Sequence, residues 1–254
     1  MPAAPRVTPA GPERDDLAVT PDRSAPAGPA HPPWFLVAMG ALAGAVAVVA
    51  LLGMTIARGH QFAFDRAILL LMREPENMRV PEGPVWLKQA MLDITALGSV
   101  TVLVLVVALT LGLLIVLRHW LTAALVFGGT VSGALAVAAI KTLVGRQRPA
   151  LIDHLVTVGD ASFPSGHAAN SAVVYLTLAL LLLQITERRA ARRYLFVAAI
   201  LLVTAIGCSR VYLGVHWPSD VLAGWSFGAL WALAWWAVGA WVRAGARRSD
   251  CAGV

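Results

Sequence analysis

Six stretches of this chain are each long and apolar enough to cross a bilayer as a helix, at about 34–57, 98–117, 120–143, 167–185, 194–212 and 220–242. A hydrocarbon core about 30 Å thick takes roughly 20 apolar residues of helix. Lipid offers no hydrogen bonds to backbone groups, so helices that satisfy their own are favoured. With 58% hydrophobic and 13% charged residues and a mean hydropathy of +0.73, an ordinary soluble domain is excluded. The 254 residues suit one membrane domain. The expected fold class is all-α, a six-transmembrane-helix bundle over 34–243. Gly129 with Gly133, and Gly224 with Gly228, put small residues at helical spacing where spans can pack closely. Trp34, Trp120, Trp217 and Trp241 sit near span ends, as in an interfacial belt.

Residues 1–33 hold nine of the fifteen prolines and read as a disordered tail; 244–254 reads as a short C-terminal tail. The first apolar run starts late and is too long for a secretory signal peptide, so none is expected. Arg118, the group Arg188, Arg189, Arg192 and Arg193, and the group Arg243, Arg247 and Arg248 share one side with the N-terminal tail. The positive-inside rule makes that side cytoplasmic. The net charge of +6 is scattered between apolar runs, which excludes a nucleic-acid-binding domain. In the outer segment 58–97, Phe62, Phe64, Ile68, Leu69, Leu71 and Met72 recur between charges at helical spacing. A short interfacial amphipathic helix is expected there, with a second around Val85 to Leu92. Packing against the spans is as good a reason for it as guiding a substrate. Cys208 and Cys251 are read as unpaired.

Three distant stretches carry ionisable residues into this apolar frame: Lys141 to Pro149, Pro164 to His167, and Ser209 to Asp220. Charges at membrane depth are costly, so they are functional candidates. The six-span topology brings all three to the outer side. Arg148 and Arg210 can bind phosphate oxygens bidentately, and Lys141 adds a point charge. Ser165 and Gly166 precede a helix whose free N–H groups suit an anion. Asp220, one turn after His216, can hold the Nδ1 proton and leave Nε2 as nucleophile. His167 can protonate the leaving oxygen and then activate water. The expected intermediate is a phosphohistidine at His216. No metal or other cofactor is expected, since the three cations do the charge work.

These stretches resemble the three signature motifs of the type 2 phosphatidic acid phosphatase superfamily. Lys141 with Arg148-Pro149 is similar to the first, Pro164 to His167 to the second, and Ser209, Arg210, His216 and Asp220 to the third. The resemblance runs from about Asp93 to Gly228. It implies a six-helix membrane fold, covalent catalysis by the third-motif histidine, and no metal. The six spans make the chain resemble the bacterial lipid phosphatases of that superfamily. A location in the bacterial cytoplasmic membrane follows, with both termini cytoplasmic and the site facing outward.

The expected partners are membrane lipids and a lipid phosphate or diphosphate substrate: polyprenyl diphosphate, phosphatidic acid or phosphatidylglycerol phosphate. No obligate protein partner is inferred. Two alternatives are a phosphotransferase using the same intermediate and a non-catalytic lipid-binding or transport protein. Intact His167, His216 and Asp220 argue against the second. Arg146, Asp153, His154 and Asp160 are expected in solvated loop positions. Tyr212 and Trp217 are read as packing, and His31, His60 and His119 as surface or boundary residues. Asn170 receives no role.

Overall fold

The computed structural model describes residues 34–252 apart from 158, 160, 184 and 185. The expected tail 1–33, including His31, and Asp160 lie outside the described residues.

The chain runs α1 (Trp34–Ala57), α2 (Ala63–Leu71), β1 (Arg73–Glu74), β2 (Asn77–Pro81), α3 (Val85–Ala96), α4 (Val100–Val116) and α5 (Trp120–Val144), then α6 (Gly166–Ser171), a π-turn (Ala172–Leu176), α7 (Thr177–Leu182), α8 (Arg189–Tyr212) and α9 (Pro218–Ala252). Among the described residues, four segments are long and apolar enough to cross a membrane: Leu36–Ala57, Trp120–Val144, Arg189–Tyr212 and Pro218–Gly245. The expected second span is the 17-residue α4, which meets α3 at a 48° bend; the pair together would be a fifth crossing. The expected fourth span is the shorter apolar run Gly166–Leu182, interrupted by the π-turn. Length and composition thus give four or five spans where six are expected. Leu109, Leu135 and Leu201 are 66%, 66% and 64% exposed, so the spans turn large aliphatic side chains outward. A surface of that kind suits hydrocarbon rather than water.

α9 is the axis of the bundle. It packs on α1, on α5, and on α6 with its π-turn. Ala45, Val137, Phe163, Ala169, Val173, Ala223 and Phe227 form the buried core between these elements. Small residues make the approach possible. A Cβ at Gly224 would lie 2.9 Å from Ala169 N and 3.0 Å from Ser165 O, and one at Gly228 would lie 2.9 Å from Ala169 O. Gly133 faces Val173 and Trp231 in the same way. The close packing expected of these glycines therefore holds the second motif's helix directly against α9.

The segment 58–97 is not wholly helical. Between α2 and α3 the chain forms a two-stranded antiparallel hairpin. In its first strand Arg73, 2% exposed, donates to Tyr212 O and Met72 O, both at 2.9 Å. A buried guanidinium needs such acceptors, and these tie the hairpin to the end of α8. Leu69 of α2 packs with Ile152, Ala168, Val211 and Val221. α5 ends at Gly145, whose φ of 59° is the left-handed conformation that glycine adopts without penalty. That stop turns the chain into the loop carrying Arg146 and Arg148.

Gly228→Val is expected to destabilise the protein by about 1–3 kcal/mol through overpacking, measured as a lower melting temperature in detergent. Gly112→Ala, where a Cβ meets nothing within 4 Å, is expected to leave it unchanged or raise it.

Candidate active site

One cavity of about 280 Å³ gathers Lys141, Arg148, Gly166, His167, Arg210 and His216 on its wall. They arrive from the end of α5, the loop after it, the start of α6, the end of α8 and the turn before α9. The other two expected site residues stand behind the wall, both fully buried. Ser165 is the N-cap of α6, with Oγ accepting from Ala168 N at 3.5 Å. Its own N–H donates to Asp220 O at 3.1 Å, joining the second motif to the third.

His216 has one nitrogen on each side of the wall. Nε2 lies 3.3 Å from Arg148 Nη1. A guanidinium can only donate, so Nε2 must present its lone pair and Nδ1 must carry the proton. Nδ1 faces Ser162 Oγ at 3.4 Å and Asp220 Oδ2 at 3.6 Å. Ser162 in turn donates to Asp220 Oδ2 at 2.5 Å. The hydroxyl therefore completes a contact that carboxylate and imidazole make only at long range. Burial pushes the His216 pKa down from 6.5 to about 4; Asp220 opposes the shift, and Arg148 and Arg210 add to it. The imidazole is neutral at physiological pH, with its free lone pair beside a cation.

The three cations are fixed by the scaffold. Lys141 Nζ donates to Ala161 O at 2.6 Å, Arg148 Nη1 to Val215 O at 2.5 Å, and Arg210 Nη1 to Thr95 Oγ1 at 3.0 Å. A Cβ at Gly166 would lie 3.3 Å from Lys141 Cε, so glycine there gives the lysine its passage. Three cations, two imidazoles and a helix start around one small cavity make an arrangement that suits an anion, with the neutral His216 ring in its wall. Among the described residues, no group of three His, Cys, Asp or Glu is placed to hold a metal ion.

The PAP2 superfamily profile matches residues 122–244. The chain is 36% identical over 149 residues to phosphatidylglycerophosphatase B of Bacillus subtilis, covering 57% of this chain and 71% of that protein. The chain belongs to the PAP2 superfamily. It is a membrane lipid phosphatase. Decaprenylphosphoryl-5-phosphoribose phosphatase of Mycobacterium tuberculosis is 38% identical over 115 residues, covering 44% of this chain and 56% of that protein. The crystal structure of a transmembrane PAP2-type phosphatidylglycerolphosphate phosphatase from Bacillus subtilis superposes with a TM-score of 0.62 at 29% identity, covering 74% of this chain and 92% of that one.

Four residues of the PAP2 site went unassigned in the sequence. Arg146, expected in a solvated loop, is instead wedged inside with its side chain 8% exposed. It donates to Asp220 Oδ1 at 2.5 Å and to Asp65 Oδ2 at 3.0 Å, and lies 5.2 Å above the Trp217 ring. Arg146 is drawn inside because a buried carboxylate such as Asp220 needs a cation beside it. Asp65 had a signal, since it shares one helical stripe with Ile68, Leu69 and Met72, where an acid is out of place. Ser162 and Thr95 carried no signal. Asp153 pairs with Arg79 at 3.6 Å in the open, as a solvated residue would, and His154 closes on Pro149 O at 2.7 Å.

Imidazole NMR of histidine-labelled protein is expected to place the His216 midpoint near pH 4, against 6.5 for a free side chain. A midpoint above 6.5 contradicts the buried neutral ring. Between pH 6.5 and about 4 the unfolded chain takes up a proton that folded His216 does not, so stability falls as pH drops through that window.

Proposed function

We propose that this PAP2 phosphatase hydrolyses a lipid phosphate or diphosphate, without metal, through a phosphohistidine at His216. The observation that carries this reading is the pairing of His216 Nε2 with Arg148 on a wall shared with Lys141, His167 and Arg210. Arg148, Arg210 and Lys141 hold the non-bridging oxygens and oppose the charge that builds as phosphorus is attacked. Nε2 forms the N–P bond while the P–O bond to the lipid breaks, and His167 donates a proton to the departing oxygen. The phosphorylated imidazolium keeps its Nδ1 proton toward Ser162 and Asp220, whose carboxylate balances the charge. His167, now neutral, takes a proton from water as the water oxygen attacks phosphorus. The N–P bond breaks, inorganic phosphate leaves, and both histidines return to their starting forms.

A lipid substrate is supported by the cavity's neighbour. An apolar groove of about 360 Å³ between α4, α5 and the π-turn shares Val100, Ala134 and Asn170 with the phosphate cavity. A head group in one leaves its hydrocarbon chain in the other. Of the three candidate lipids, phosphatidylglycerol phosphate is favoured, because it is what the Bacillus subtilis relative is named for. The same reading gives six spans, the fourth through Gly166–Leu182, with α2 lying at the interface. The protein then sits in the bacterial cytoplasmic membrane, both termini cytoplasmic and the site facing outward.

Phosphate release from phosphatidylglycerol phosphate, phosphatidic acid and polyprenyl diphosphate, with chelator present, tests the reading. Wild type is expected to turn over at least the first, and His216→Ala to lose about 1,000-fold or more in kcat. Undiminished activity in His216→Ala refutes the nucleophile, and loss to chelator reversed by Mg²⁺ refutes the metal-free reaction. Val107→Trp, which fills the groove away from the histidines, is expected to raise KM about tenfold for a long-chain lipid and to leave a short soluble phosphate ester unaffected.

A further inference from the structure

We propose that Asp65, on α2 and outside the family-matched segment, is a positioning residue that acts through Arg146 to orient and charge the Asp220 carboxylate behind His216. The inference rests on the reading of His216 as nucleophile. Asp65 is 1% exposed and Asp220 0%, and the Arg146 side chain lies between them. The guanidinium divides its fork, with Nη1 on Asp220 Oδ1 and Nη2 on Asp65 Oδ2. Asp220 thus has one oxygen fixed by Arg146. Its other oxygen is left to Ser162, to Trp217 N at 3.0 Å, and to His216.

Asp65 also reaches the start of α9 directly. It accepts from Ser219 N at 2.7 Å and from Ser219 Oγ at 2.6 Å. Ser219 Oγ accepts from Arg146 Nη1 at 2.8 Å, which closes the ring. The first N–H groups of a helix have no partners within it, and here Asp65 supplies one from a separate element. The turn that carries His216 and Asp220 is thereby set against α2.

Charge makes the carboxylate more than a staple. Arg146 with Asp220 alone would be a neutral pair, with little negative charge left for a phosphorylated imidazolium. Two carboxylates around one guanidinium leave a net charge of about −1. Asp65 therefore leaves Asp220 able to stabilise the cationic intermediate. Removing its charge should act on the chemical step and leave phosphate binding alone, since Lys141, Arg148 and Arg210 line the cavity and Asp65 does not.

The test is a double-mutant cycle of Asp65→Asn and Asp220→Asn, measured as kcat, KM and the inhibition constant of inorganic phosphate, with His216→Ala alongside. Asp65→Asn is expected to lower kcat about tenfold or more, with KM and phosphate inhibition within about threefold of wild type, and to have no further effect in the Asp220→Asn background. Equal loss in both backgrounds, or weakened phosphate binding, marks a purely structural role and overturns the proposal. So does wild-type kcat in Asp65→Asn while His216→Ala is inactive. Activity retained in His216→Ala instead strikes the underlying mechanism. Should Asp65→Asn not purify as a folded protein, Ser219→Ala carries the same cycle. It removes one donor to Asp65 and keeps the backbone cap, and it is expected to lower kcat a few-fold only where Asp220 is intact.

Discussion

Asp220 is a carboxylate with no exposed surface, and four donors surround it: Arg146, Ser162, the Trp217 backbone N–H and His216. A bare carboxylate in such a place would protonate or pull the fold apart. Its partners come from the loop after α5, the strand of chain before α6, and the turn before α9. Satisfying this one group therefore draws all three motif-bearing segments together. The neutral, one-sided His216 is a consequence, since its Nδ1 edge belongs to the Asp220 network and its Nε2 edge to the cavity.

The charged region depends in turn on the apolar frame. Gly224 and Gly228 let α9 approach α6 at backbone distance. Ser165 N can then reach Asp220 O, and the helix carrying His167 opens beside the turn carrying His216. Large aliphatic side chains such as Leu109, Leu135 and Leu201 face outward, while glycine and alanine make the contact between α9 and α6. This is how a bundle packs when lipid removes the hydrophobic drive between helices. The groove between α4 and α5 meets the cavity at Val100, Ala134 and Asn170. A molecule polar at one end and apolar along its length matches that pair of spaces.

Much of the candidate site is legible in the sequence, because its residue types are improbable in a hydrocarbon frame. Lys141, Arg148, His167, Arg210 and His216 stood out for that reason, and topology alone put them at one end of the bundle. What stayed hidden came from context. Arg146 is one residue away from Gly145 and looked like loop, yet burial of its partner Asp220 decides where it goes. Asp65 offered a faint sign as an acid on an apolar stripe. Thr95 and Ser162 matter only through a single hydroxyl each, and no pattern announces a hydroxyl. The hairpin at Arg73 to Pro81 leaves no pattern for a similar reason, since two short strands carry too little alternation. α4 and Gly166–Leu182 are shorter than a full crossing, and both begin beside the cavity, at Val100 and Gly166.

The proposed covalent attachment at His216 is the point on which the account turns, and trapping it is the most direct measurement. Wild-type protein in detergent is mixed with lipid carrying a radiolabelled terminal phosphate, quenched in alkali within the first turnovers, and mapped by peptide mass spectrometry. The label is expected on Nε2 of His216, stable in alkali and lost in acid. Label on His167, or steady phosphate release with no protein-bound phosphate at any time, would contradict a phosphohistidine at His216.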